Sequence, residues 1–392
     1  MKTKIFFLFA ALLLVSYASA EIRVGASRTD QYLPLLNGKR VALMSNHTGI
    51  VEDVEHPTRI HTLDLLLANG VQVTAIFSPE HGFRGTAREG EIVQSSIDEK
   101  TGVPILSMYD GKGGGLNSET MAKFDILIVD IQDVGLRFYT YYVTMVKLMN
   151  ACAEYGKLVI VFDRPNPNGH YVDGPILDMK YKSGVGGLPI PTVHGMTLGE
   201  LARMVNGEGW LNEGRTVDLV VIPCLNYTHQ TVYRLPVAPS PNLRTMLAVY
   251  LYPSICLFEG TPVSLGRGTD HPFLCYGHPL YGFDGNNRTV DFTFTPNASV
   301  QKGRLCYGVD LRGLSEEEAR NMHINLNYVI DAYRSLKIDN FFFSAFFEKL
   351  TGVDYVRKMI IAGKTNEEIC AMWQDDVERF KQQRRPYLMY AE

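Results

Sequence analysis

Four apolar runs in this chain each give way to a cluster of acidic, basic and amide side chains. Residues 75–77 run into Ser78-Pro79-Glu80-His81-Gly82, and 126–131 into Gln132-Asp133-Val134-Gly135-Leu136-Arg137. Residues 158–162 run into Asp163-Arg164-Pro165-Asn166-Pro167, and 219–222 lead, after a longer loop, to Pro239-Ser240-Pro241-Asn242. Carboxyls can trade protons with a substrate, while Arg and Asn can hold its charged or hydroxylated groups. Gathered on one edge, these residue types would form an enzyme site for a polar substrate.

Short aliphatic and β-branched runs separated by helical stretches read as parallel strands, and ligands in open α/β sheets bind beyond the carboxyl ends of such strands. The expected strands are 40–44, 71–77, 103–108, 126–131, 158–162 and 217–222. The expected helices between them are 58–68, 138–155 and 197–206, the last opened by a Thr197-Leu198-Gly199-Glu200 capping box. This alternation predicts a Rossmann-like, doubly wound α/β domain. After residue 247 the pattern changes. Apolar runs around Ile255, Phe292 and Leu305 are shorter and separated by Gly-rich loops, and long polar helices are expected over 315–336 and 366–385. We therefore divide the chain into 1–20, a Rossmann-like domain over 21–247, and a smaller α/β domain over 248–392.

Each candidate residue has two readings. Glu80, past a strand broken by Pro79, would be a partly desolvated general acid, or else a helix N-cap or an ion-pair partner of Arg84 or Arg88. Asp133 would join Arg137, Tyr139 and Tyr141 in holding a sugar, or cap the helix that follows; Asp130 reads as structural. Asp163 would accept substrate hydroxyls or brace its own Pro-rich loop. His194 would bind an anionic group at the N-terminus of the next helix, or merely lead into it. Glu259 and Arg267 lie close enough to flank a ligand or to pair with each other, and the glycines around Arg267 suggest a loop pressed against a ligand.

The remaining features bound the answer. Lys2 and Lys4, the apolar run 5–15 and Ala18-Ser19-Ala20 have the form of an export signal cleaved after Ala20, with no Cys to carry a lipid anchor. Cleavage would leave 372 residues and take the formal net charge from −4 to −6 by removing two lysines. No later run is long enough to insert in a membrane, and no basic stripe suggests nucleic acid. The six cysteines (152, 224, 256, 275, 306 and 370) lie mostly in apolar runs and read as buried thiols. No CxxC or HxxxH spacing suggests zinc, and no nucleophile elbow, P-loop or GxGxxG suggests an esterase triad or a nucleotide.

In this order the motifs resemble the exo-β-N-acetylmuramidases of bacterial peptidoglycan recycling, a family long described as a domain of unknown function. The resemblance rests on Ser78 to Gly82, Asp130 to Gly135 with Arg137 to Tyr141, Asp163 to Pro167, Gly174-Pro175, and Ile190-Pro191 with His194-Gly195-Met196-Thr197. It continues through Pro239-Ser240-Pro241-Asn242, Phe258-Glu259-Gly260-Thr261 and Gly266-Arg267-Gly268-Thr269. The loop between Asn226 and Pro239 departs from it in lacking a Trp. The resemblance implies a Rossmann-like domain joined to a smaller α/β domain with the site in the cleft between them. It also implies removal of a non-reducing terminal N-acetylmuramic acid from β-1,4-linked peptidoglycan fragments. It makes Glu80 the leading acid/base, with Asp133 and Glu259 as candidates for a second carboxyl, unless the sugar's own acetamido group is the nucleophile. His81, Arg137, Tyr139, Asp163, Asn166, His194, Asn242 and Arg267 become substrate-binding candidates, with Arg137 or Arg267 on the lactyl carboxylate. No cofactor is implied, and the only partner is the oligosaccharide. A non-catalytic sugar-binding protein of the same fold is the alternative.

Overall fold

The computed structural model describes residues 21–53, 55, 57–79, 82–83, 95–108, 116–283, 285, 287 and 289–392. Strands β1 (Arg40–Ser45), β2 (Ile50–Val51), β3 (Ile60–His61), β4 (Gln72–Ser78), β5 (Ser96–Ile97), β6 (Pro104–Ser107), β7 (Ile126–Asp130), β8 (Leu158–Phe162) and β9 (Leu219–Ile222) belong to the first half. Seven of them form one sheet in the order β5-β6-β4-β1-β7-β8-β9. All neighbours are parallel except β5, which pairs antiparallel at the edge. The chain thus steps outward from β1 through β4 to β6, then returns to the other side of β1 with β7, the doubly wound arrangement.

Side chains alternate across this sheet and fill two cores. Met44, Phe77, Leu127, Val129, Val159 and Val161 face one layer, with α4 (Tyr141–Glu154) and α5 (Leu198–Gly207). Leu43, Ile76, Ile126, Ile128, Ile160 and Phe162 face the other, with α1 (Thr29–Leu36) and α2 (Thr62–Ala68). Burial on both faces is why the strands read as unbroken apolar runs. A short α3 (Ser118–Met121) precedes β7.

The second half holds an antiparallel sheet of β10 (Cys275–His278), β11 (Thr293–Phe294) and β12 (Cys306–Asp310), in the order β10-β12-β11. Around it lie α6 (Met246–Ile255), α7 (Glu316–Asn321), α8 (Asn327–Leu336), α9 (Ala345–Thr351), α10 (Tyr355–Ile361), α11 (Asn366–Cys370) and α12 (Gln374–Arg384). The first of the two cores continues without a break into these helices, through Leu251, Phe258, Phe347 and Trp373.

Several elements differ from expectation for identifiable reasons. The run around Ile255 is the end of α6, carried on as a 3-10 turn to Gly260. The helix expected over 315–336 breaks into α7 and α8 because remote side chains capture the intervening N–H groups. Ile324 N donates to Asp173, Asn325 N to Ser254 and Leu326 N to Asn366. The last long helix breaks at Ala371–Trp373, where the buried Trp373 indole donates to Asp173 Oδ1 at 2.8 Å. All six cysteines are free, and only Cys370 is less than buried.

The chain ends by returning to the first domain. Met389 N donates to Glu200 Oε1 at 2.8 Å and the Tyr390 hydroxyl to Asp163 Oδ2 at 2.6 Å. His229 N donates to Ala391 O, and Arg384 pairs with Glu392.

Candidate active site

The winding reverses between β1 and β7, where Ser45 stands opposite Asp130 at the carboxyl ends of the strands. Protein side chains fill this crevice. Arg164 clasps Asp130 with Nε and Nη2 at 2.6 and 2.9 Å, both side chains are buried, and Thr62 Oγ1 donates to the same carboxylate at 2.5 Å. Asp130 is structural, as its position in an apolar run suggested. Asn46 folds the loop after β1 by accepting from Thr48 N, and its Nδ2 donates to the Tyr141 hydroxyl at 2.9 Å.

Tyr141 carries the argument outward to open space. Its hydroxyl and that of Tyr139 both donate to Pro239 O, at 3.1 and 2.8 Å, and so fix the loop ahead of α6. Beside this loop opens a cleft between the two domains. Tyr139, Ser240 and Asn242 line it from the sheet side, and Tyr252, Glu259, Arg267 and Phe273 from the other. Its aromatic rings meet edge to face, with centroids 4.7 Å apart for Tyr139 and Tyr141 and 5.0 Å for Tyr252 and Phe273. The Arg267 guanidinium lies 5.0 Å from the Phe273 ring centroid and pairs with Glu259 Oε1 at 2.7 Å. Ring faces next to a forked donor, an amide and a carboxylate suit a hydroxylated, anionic ligand. Glu259 and Arg267 therefore realise both expectations at once: they pair, and they line the cleft.

Asp133 lies on the turn between β7 and α4. Its Oδ1 accepts from Gly135 N at 2.7 Å, while Oδ2 is buried without a partner among the described residues. It does not cap α4, which begins farther on at Tyr141. Burial pushes its carboxyl up to about 7, against the opposing hydrogen bonds from Gly135 and Val134 N–H. A carboxyl with that titration can give or take a proton near neutrality. Gly135 is required here, since its φ is +78° and a Cβ would stand 2.2 Å from the Asn166 amide.

Four expected ligand contacts are instead structural. The Arg137 guanidinium is fully buried, and donates to Pro175 O at 2.6 Å, Ile190 O at 2.9 Å and Leu350 O at 2.8 Å. It ties the two domains together and has no reach to a lactyl carboxylate; burial lowers its pKa to about 10. Asp163 turns inward, accepting from Thr197 Oγ1, Gly199 N and the Tyr390 hydroxyl. Burial carries it to about 6 even so. Asn166 donates to Met196 O and accepts from Asn168 N. His194 accepts from Met196 N and is held neutral by burial, its pKa lowered to about 3. At the α5 N-terminus behind it, Gly199 N donates to Asp163 and Glu200 N to the Thr197 hydroxyl, so the protein's own groups take these N–H donors. The glycines around Arg267 also serve the protein. A Cβ on Gly266 would meet His271 O at 2.6 Å, and one on Gly268 would meet Ala298 N at 2.5 Å. Glu80, His81, Arg84 and Arg88 lie outside the described residues, just after β4, the strand beside β1.

Sequence reasoning missed Tyr252 and Phe273, which read as core because their neighbours are apolar. Only the Pro239-Ser240-Pro241-Asn242 loop signalled that something faced it. Among the described residues no group of three or more His, Cys, Asp or Glu side chains is placed to hold a metal.

A doubly wound sheet whose carboxyl-end cleft, of about 80 Å³, is closed by aromatic, acidic and guanidinium groups of a second domain defines a two-domain α/β protein with a narrow polar cleft between its domains. Its sequence matches the models of the exo-β-N-acetylmuramidase NamZ N-terminal domain over residues 41–247 and C-terminal domain over 250–390. The chain belongs to this family. It is 38% identical over 378 residues to the peptidoglycan β-N-acetylmuramidase NamZ of Bacillus subtilis strain 168, covering 92% of this chain and 89% of that protein. The crystal structure of a DUF1343 family protein from Bacteroides fragilis NCTC 9343 superposes with a TM-score of 0.86 at 58% identity, covering 95% of this chain and all of the other. A second protein of that family and organism gives 0.76 at 28% identity, covering 94% and 99%.

Proposed function

We propose that this protein is an exo-acting glycoside hydrolase that releases non-reducing terminal N-acetylmuramic acid from β-1,4-linked peptidoglycan fragments in cell-wall turnover. The observation that carries the reading is the interdomain cleft, where Arg267, Glu259, Asn242 and Tyr139 converge from opposite sides in a chain of this family. The lactyl group distinguishes muramic acid from glucosamine, and among the described residues Arg267 is the cation that lines the cleft, so it takes that carboxylate. Glu259 holds Arg267 in place at 2.7 Å.

Breaking the bond requires a proton on the leaving oxygen and a nucleophile at the anomeric carbon, with water completing the products. Glu80 supplies the proton, on the strength of its Ser78-Pro79-Glu80-His81-Gly82 motif. Asp133, titrating near neutrality with one oxygen unpartnered, takes the second role, as base toward water or as partner of the substrate's acetamido group. The N-terminal pattern supports export with cleavage after Ala20, and N-terminal sequencing of the secreted protein should then begin at Glu21. Among the described residues no helix is long and apolar enough to cross a membrane.

The test is incubation of the purified protein with a chromogenic β-N-acetylmuraminide and, in parallel, the matching glucosaminide. Release from the muraminide alone, abolished in a folded Glu80→Gln variant, is the expected result. Release from neither, by a protein that still binds muramic acid, would make it a cell-wall sugar-binding protein.

A further inference from the structure

The cleft does not end at Arg267. Asn242 and Arg267 also form one wall of a second, open groove of about 620 Å³, within the roughly 300–1,000 Å³ of ligand sites. Arg244, Phe294, Thr295 and Asn297 also line it, together with Asp270 and His271. The groove is built. Gly268, at a φ of +78°, lets its loop press on the backbone of Ala298, and Asn297 N donates to Gly268 O at 2.9 Å. Arg244 is anchored through Nε to Pro241 O at 2.8 Å, and its two terminal nitrogens make no hydrogen bond among the described residues. The cleft, by contrast, is closed on its inner side by the buried Phe138, Tyr252, Phe273 and Leu350.

An enzyme that removes one terminal sugar needs a closed end for that sugar and an open path for the rest. We infer that the groove of Arg244, Phe294, Thr295 and Asn297 binds the leaving part of the substrate, a 2-acetamido sugar directly beyond the scissile bond. This rests on the glycosidase reading. The Phe294 ring offers an apolar face to a pyranose, while Asn297 and the free Arg244 nitrogens offer an amide and donors to its acetamido and hydroxyl groups.

The experiment compares kcat/KM on an aryl β-N-acetylmuraminide, whose leaving group has no sugar, with that on the muramic acid–glucosamine disaccharide, both without and with a stem peptide on the lactyl group. Two variants are used: Arg244→Ala, and Thr295→Trp, which fills the groove from an exposed position. Arg244→Ala should lower kcat/KM on the plain disaccharide about tenfold, as expected for loss of hydrogen bonds from a charged donor, and Thr295→Trp by at least as much because it excludes the sugar, while turnover of the aryl compound shows that each variant folds. An unchanged ratio between disaccharide and aryl compound in both variants would overturn the inference. A loss seen only with the peptide-bearing disaccharide would overturn it too, and give the groove to the peptide. If the wild type cleaves none of the compounds, the glycosidase reading itself falls.

Discussion

Asp133→Asn separates the cost of the buried carboxyl from its use. In the folded protein this group is carried from its ordinary 3.8 to about 7 by burial, so the fold binds its proton more tightly than the unfolded chain does. Its contribution to stability is then fully present below about pH 4 and is lost as pH rises through 7. At about 1.4 kcal/mol per pH unit the full loss is about 4 kcal/mol, of which about 3 kcal/mol falls between pH 4.5 and 8. Asparagine has the same shape, can still accept from Gly135 N, and does not titrate. Its own cost in the partnerless Oδ2 position is independent of pH and cancels when two pH values are compared. Thermal melts of both proteins at pH 4.5 and 8 should therefore show the variant gaining on the wild type by about 4 °C at the higher pH. The same variant should lose most muraminide turnover. A wild-type and variant pair that respond identically to pH would refute the assignment of a raised pKa, and full activity in the variant would remove Asp133 from the chemistry.

Arg137→Met removes a charged donor from three buried carbonyls, of which Ile190 O keeps a bond from Leu177 N, and unties Leu350 from the first domain, so it should cost about 3–5 kcal/mol in denaturant unfolding. What activity survives should keep its preference for muraminide over glucosaminide; a stable variant with relaxed preference would return Arg137 to the substrate. Arg267→Ala should do the opposite, melting within about 2 °C of the wild type because its ion pair with Glu259 is partly exposed, and lowering the muraminide preference about tenfold or more. Retention of the full preference would show that another group reads the lactyl carboxylate.

Much of the fold was legible because parallel strands buried on both faces are written as uninterrupted apolar runs, and each expected strand of the large sheet lies within two residues of an observed one. Their order in the sheet was not, since which runs pair depends on contacts between distant residues. The helices of the second domain break where Asp173, Ser254 and Asn366 capture backbone donors, a long-range event with no local signature. The site was half legible for a related reason. Residue type and a strand-end position bring Asp133, Asp163, Asn166 and His194 to the same edge, but do not tell which way a side chain turns. Asp163 turns inward to accept from Thr197, Asn166 turns inward to donate to the Met196 carbonyl, and His194 braces that same loop. Arg267 and Glu259 differ in lying on the second domain, where they border the cleft, and Arg267 its groove as well.

The return of residues 389–390 makes the first domain depend on a segment remote from it in sequence. Asp163 and Glu200 are buried and take donors from Thr197 and Gly199 within their own domain, yet each accepts one more bond, from Tyr390 or from Met389. Separated from that segment, each carboxylate would be one donor short in a buried setting, so the large sheet and its helices are expected to be less stable alone than joined to the second domain.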